Sequence, residues 1–148
     1  MPDRPFQAKV TAYHLRREQI QVNFSHHSLI SDHEPELGGD GMGPAPGIIM
    51  LGALASSTAY IVARYAAQLG IPAESITVKV DSELGRDEVE GPVGAQIFTR
   101  KITQLIEVGG DLSEAQLATL QEIAEQCMVS NTLRRGVEIE KRVVQVAG

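Results

Sequence analysis

Cys127 is the only cysteine in the 148-residue chain, and a thiol is the side chain best suited to covalent and redox chemistry once it ionises. Ionisation needs help from a cation beside the sulfur. The plainer reading makes Cys127 a small buried hydrophobe, because it shares helical spacing with Leu117, Leu120, Ile123 and Ala124. Ser57 is the second candidate nucleophile. Its surroundings, Ala55-Ser56-Ser57-Thr58-Ala59, lack a Gly-x-Ser-x-Gly elbow, and spacing assigns it neither an acid nor a base. Small residues at Gly52, Ser56 and Ala59, or at Ala53 and Ser57, suit the close approach of another helix better than catalysis.

Two further groups have chemical potential. His26, His27, Asp32, His33 and Glu34 are metal-ligand types, but neighbours on a strand face opposite sides, so only one of His26 and His27 can readily join His33. A solvated loop is the expectation, with no metal and no cofactor. The run Gly38-Gly39-Asp40-Gly41-Met42-Gly43 precedes a helix and invites an anion-binding reading. It lacks the Gly-Lys-Ser/Thr ending of a phosphate loop, so a turn that delivers the helix is expected instead.

The elements that must position these residues follow from periodicity. Residues 6–14 alternate Phe6, Ala8, Val10 and Ala12 against polar neighbours, and residues 19–24 place Ile20, Val22 and Phe24 two apart, as half-buried strands do. Residues 28–31 offer a third short strand. A long helix is predicted over 47–69, with Pro46 in its first turn, Gly70 at its left-handed exit and Pro72 as a stop. Its first half has almost no polar face, so protein is expected on every side, a second subunit included. Residues 75–84 and 95–108 read as an antiparallel pair joined through residues 86–94. Ser113 and Gln116 form a capping box for a second helix over 114–127, residues 132–135 add a turn, and a final strand covers 137–146.

Composition narrows the function classes. The formal charge of −6, the 4% aromatic content and the absence of Trp disfavour phosphate backbones and stacked bases, so no nucleic acid partner is expected. Residues 44–63 carry no charge, but Pro46, Gly47, Gly52 and several hydroxyls interrupt them and Arg64 follows, so no membrane span is expected. The start of the chain shows no signal-peptide pattern, and one cysteine cannot form an internal disulfide. A cytoplasmic protein of one domain, 1–148, is the expectation.

The segments Asp32-His33-Glu34-Pro35, Gly38-Gly39-Asp40-Gly41-Met42-Gly43-Pro44-Ala45-Pro46 and Leu51-Gly52-Ala53-Leu54-Ala55-Ser56-Ser57-Thr58-Ala59, followed by Glu125-Gln126-Cys127-Met128-Val129-Ser130 with Leu133, resemble the OsmC/Ohr family. The resemblance implies an α+β fold of antiparallel sheets with a long buried central helix and a second helix, built as an intertwined homodimer. It implies a stress-response protein whose relatives reduce organic hydroperoxides with two cysteines and an external dithiol reductant. In that mapping the attacking cysteine falls on Ser57 and the second on Cys127, with Arg16 or Arg17 in the region of the family's arginine. Gly47-Ile48 stands where relatives carry a glutamate, and Met128 where a proline is usual. Three readings follow: a homodimer that keeps a pocket for a small apolar or peroxide-like ligand without the two-cysteine cycle, a one-cysteine hydroperoxide reductase using Cys127, or a non-catalytic assembly partner.

Overall fold

The computed structural model describes residues 8–147. They pack as two compact units, Met1–Gly52 and Ala53–Gly148, with the boundary inside the long helix. The fold is α+β, with antiparallel sheets and three α-helices.

In the first unit, β1 (Val10–Arg16), β2 (Gln19–Phe24) and β3 (His27–Ser31) form an antiparallel meander in that order. The two turns are tight enough to force Arg17 and Ser25 to positive φ, 48° and 49°. β1 starts later than the alternation suggests, and Phe6 and Gln7 lie outside the described residues. It is exposed along its length, not half-buried, because among the described residues of its own unit it has only β2 beside it.

The glycine-rich segment that follows is organised by Asp32, whose side chain is fully buried. The backbone N–H groups of His33 (2.8 Å), Met42 (3.0 Å) and Asp40 (3.2 Å) all donate to its carboxylate. Two glycines are steric requirements here: a Cβ at Gly39 would overlap the His33 carbonyl, and one at Gly43 the Ile30 carbonyl.

The chain then enters α1 (Pro46–Gln68), where Pro46 sits in the first turn and Gly70, at φ 67°, exits left-handed while Ile71 N–H returns to the Ala66 carbonyl. In the second unit α1 buries one stripe, Leu54, Thr58, Val62 and Ala66, spaced four apart. That stripe meets the inward face of the hairpin β4 (Ser75–Glu88) and β5 (Ala95–Gly109), on which Ile76, Ile106 and Val108 alternate with exposed neighbours. Leu120 and Ala124 of α2 (Glu114–Ala124) close the same core with Ile71. The sheet pair is longer than expected, running through Arg86 to Glu88 with a bulge at Glu83/Leu84.

Within the single chain the hairpin covers one flank of α1, and Ile48, Tyr60 and Leu69 are more than half exposed. Two expectations change. The second helix stops at Ala124 and a third, α3 (Met128–Arg135), restarts after it. Residues 137–146 form no strand among the described residues; their alternation is present, but a strand exists only when another edge supplies its hydrogen bonds, and Val137, Ile139, Val143, Val144 and Val146 stand exposed.

Candidate functional site

The break between α2 and α3 is what places the thiol. Gln126 and Cys127 N–H groups bond to the Ile123 and Ala124 carbonyls, a tightened last turn, and Cys127 then turns extended (ψ 127°) to become the N-cap of α3. It therefore leaves the apolar stripe of α2 and meets α1. Its sulfur is 0% exposed. The thiol donates to Ser57 Oγ at 2.9 Å. Thr58, the next residue on α1 and only 1% exposed, also bears on the sulfur through its hydroxyl. Thr58 in turn donates to Oε1 of Gln104 on β5 at 2.9 Å. Hydroxyls from one helix and the start of another thus converge on one sulfur, with a hairpin amide one hydrogen bond behind them.

The electrostatics make the thiol easier to ionise. Burial pushes the Cys127 thiol up, but the Ser57 hydroxyl, the Ser130 amide, the Thr58 hydroxyl and the Val129 amide together outweigh it and leave the thiol below its ordinary value. The two amides belong to the first turn of α3, where unpaired N–H groups favour an anion. This is a thiol tuned by dipoles.

Ser57 and Cys127, paired only through the resemblance at the level of sequence, are in direct contact. Arg16 and Arg17 are brought together within the first unit: both guanidiniums grip Asp40, at 3.2 and 2.9 Å, and Arg17 also donates to the Gly38 carbonyl at 3.0 Å. Gln19 completes the set with a 2.9 Å bond to the same carboxylate. The histidine group does not converge. His26 sits in the β2–β3 turn, His27 begins β3, and among the described residues no three His, Cys, Asp or Glu side chains are placed to hold a metal. The anion reading of the glycine run is answered by Asp32, which already takes up the amides such a ligand would need.

Gln104 and Thr58 were not singled out by sequence. A signal existed in β5, where the inward series Ile102, Gln104, Ile106, Val108 carries one polar member. A polar side chain on a core face needs a buried partner.

The model of the OsmC-like protein family matches residues 38–142. The chain belongs to the OsmC-like family. The match includes the Asp32-buttressed loop from Gly38 onward, all of α1 and the Cys127 turn, and it crosses the boundary between the two units. The fold is shared with solved OsmC-like structures at low identity. An OsmC-like protein from Mycoplasma pneumoniae is 17% identical, with a TM-score of 0.70 over 87% of this chain and 88% of that one. The organic hydroperoxide resistance protein OsmC from Legionella pneumophila is 18% identical, with a TM-score of 0.63 over 87% and 90%. An organic hydroperoxide resistance protein from Elizabethkingia anophelis, holding thiocyanate, is 16% identical, with a TM-score of 0.63 over 89% and 91%. No curated protein matches the chain.

Proposed function

We propose that this OsmC-like chain is a stress-response protein that keeps the family's site but lacks its two-cysteine hydroperoxide reductase cycle, Ser57 standing at the position of the first cysteine. A small apolar or peroxide-like molecule is held in a pocket completed by a second copy of the chain. The observation that supports this reading is the 2.9 Å approach of Cys127 Sγ to Ser57 Oγ. Two sulfurs at such a spacing can exchange between dithiol and disulfide; a sulfur and a hydroxyl cannot. A Ser57 hydroxyl forms no sulfenic acid, and a sulfenic acid on Cys127 has no second thiol in the chain to condense with.

The second copy is proposed from α1. By length and composition this helix is apolar enough to cross a membrane, with a mean hydropathy of 1.6, yet only 17% of that window is buried. Gly47, Gly52 and the hydroxyls of Ser56, Ser57 and Thr58 break the apolar run, and a flank of a matching protein covers such a helix better than lipid. A dimeric mass in light scattering is the expected result, and a monomer at micromolar concentration would overturn it.

The lowered Cys127 thiol favours a second reading, a one-cysteine reductase. The thiolate attacks one peroxide oxygen, the O–O bond breaks, and the alkoxide leaves as alcohol with a proton from solvent, which gives Cys127 sulfenic acid. An external dithiol then displaces water to form a mixed disulfide. Its second thiol releases Cys127 and closes the reductant's own disulfide. The deciding assay follows consumption of cumene hydroperoxide with excess dithiothreitol, for the wild type and Cys127→Ser. No turnover by the wild type establishes loss of the cycle. Turnover abolished by Cys127→Ser establishes the one-cysteine enzyme, and turnover indifferent to it removes Cys127 from either role.

A further inference from the structure

We propose that Gln104 is a positioning residue for the Cys127 thiolate, acting through Thr58 as a reversible hydrogen-bond partner. This rests on the reading of Ser57 and Cys127 as the site. The argument begins with the proton count. With the thiol neutral, its S–H donates to Ser57 Oγ at 2.9 Å and Thr58 donates its only hydroxyl hydrogen to Gln104 Oε1 at 2.9 Å. When the thiol proton passes to solvent buffer, the sulfur becomes an acceptor alone, and both hydroxyls can turn their hydrogens toward it, beside the Ser130 and Val129 amides. Thr58 is 1% exposed, so bulk solvent does not reach it.

Thr58 can turn only if its bond to Gln104 reverses. A side-chain amide carries an acceptor and a donor at the same end, so rotation about its last bond presents N–H to the Thr58 oxygen and leaves the hydroxyl hydrogen free for sulfur. No other neutral side chain of this size and shape satisfies Thr58 in both arrangements. The location agrees: Gln104 is the polar member of the inward row of β5, half-buried where its neighbours are Ile102 and Ile106. Thr58 also forgoes the usual fallback of a mid-helix threonine, a bond to its own carbonyl four residues back, in favour of this bond across to the hairpin. Charged side chains on the surrounding elements stay at the surface. Arg64 of α1, Lys101 and Glu107 of β5 and Glu122 of α2 are exposed, as are Glu125 and Arg134, which pair with each other at 2.8 Å.

The replacement that separates positioning from mere packing is Gln104→Glu. An ionised carboxylate accepts but cannot donate, so it holds the Thr58 hydrogen away from sulfur and adds negative charge beside a forming anion. Gln104→Met keeps the length and removes both functions, releasing Thr58 to its own helix. The test is the pH profile of Cys127 alkylation by iodoacetamide in the full chain, read by mass spectrometry. Thiolate absorbance near 240 nm gives the same midpoint where alkylation is slow. The expected midpoint rises by about one pH unit in Gln104→Glu, roughly tenfold less thiolate at a given pH, and by less in Gln104→Met. In a Thr58→Val background, Gln104→Glu adds little. A Gln104→Glu midpoint equal to wild type in a folded protein would overturn the proposal. If that variant does not fold, an unshifted Gln104→Met does so. Peroxide turnover does not enter this measurement, so its absence bears on the function and an unmoved midpoint on Gln104 alone.

Discussion

Ser57→Cys is the substitution that most directly examines the contact on which the site rests. Sγ of Cys127 and Oγ of Ser57 are 2.9 Å apart across 70 residues of sequence. A disulfide needs about 2.05 Å between sulfurs, so the two side chains must close by roughly 0.9 Å, within the reach of small rotamer adjustments. Closing a loop of that length removes chain entropy from the unfolded state equivalent to about 4 kcal/mol, and the lost Ser57–Cys127 hydrogen bond returns about 1. A net gain near 3 kcal/mol raises Tm by roughly 10 °C in a domain of this size. The assay is paired. Thiols are counted in denaturant after mild oxidation, and thermal unfolding is followed with and without reductant. The expected result is no free thiol and a Tm difference that reductant abolishes, whereas wild type keeps one thiol and is indifferent. Two thiols that persist through oxidation would refute the geometry at Cys127, whatever the peroxide assay shows.

Three further outcomes are expected. Burial raises the Asp32 carboxyl, but the amides of Met42, His33 and Asp40, with His33 nearby, hold it below the usual carboxylate range. Its folded value lies under its unfolded one, so its stabilisation is complete above the unfolded value and fades as pH falls through the lower folded value; Asp32→Asn should flatten the acid limb of a pH–Tm curve. Gly43→Ala places a methyl against the Ile30 backbone carbonyl, which cannot yield as a side-chain tip can, and should destabilise by about 3 kcal/mol in urea unfolding. Ser113→Ala removes one half of the reciprocal capping box at α2, where Ser113 Oγ accepts from Gln116 N–H at 3.2 Å and the Gln116 side chain accepts from Ser113 N–H at 2.9 Å, and should cost about 1 kcal/mol in the same assay.

What the sequence disclosed were features whose cause is local. Pro46 and Gly70 bracket α1 because each fits a backbone conformation irrespective of what surrounds it. Ser113 and Gln116 announce α2 for the same reason, and the Ile76–Val78–Val80 alternation needs only one buried face. The failures share the opposite property. Nothing at Gln126 or Cys127 forbids a helix, so the restart that makes Cys127 an N-cap is imposed by packing against α1 and not by residue type. Residues 137–146 carry a strand's pattern without an edge to complete it. Gln104 is a lone polar residue in an apolar row until Thr58 is known to lie opposite. The contact between Ser57 and Cys127 could be named from a family resemblance, but its surroundings of hydroxyls and helix-start amides could not.

The bare valines of residues 137–146 have a consequence for how this protein must be handled. Five exposed aliphatic side chains, on a segment that pairs with no strand among the described residues, make it a template for whichever extended backbone reaches it first. Dilution, heating or overexpression should therefore fail first at this margin, through protease nicking when partners are scarce and through fibrous or tangled self-pairing when they are crowded.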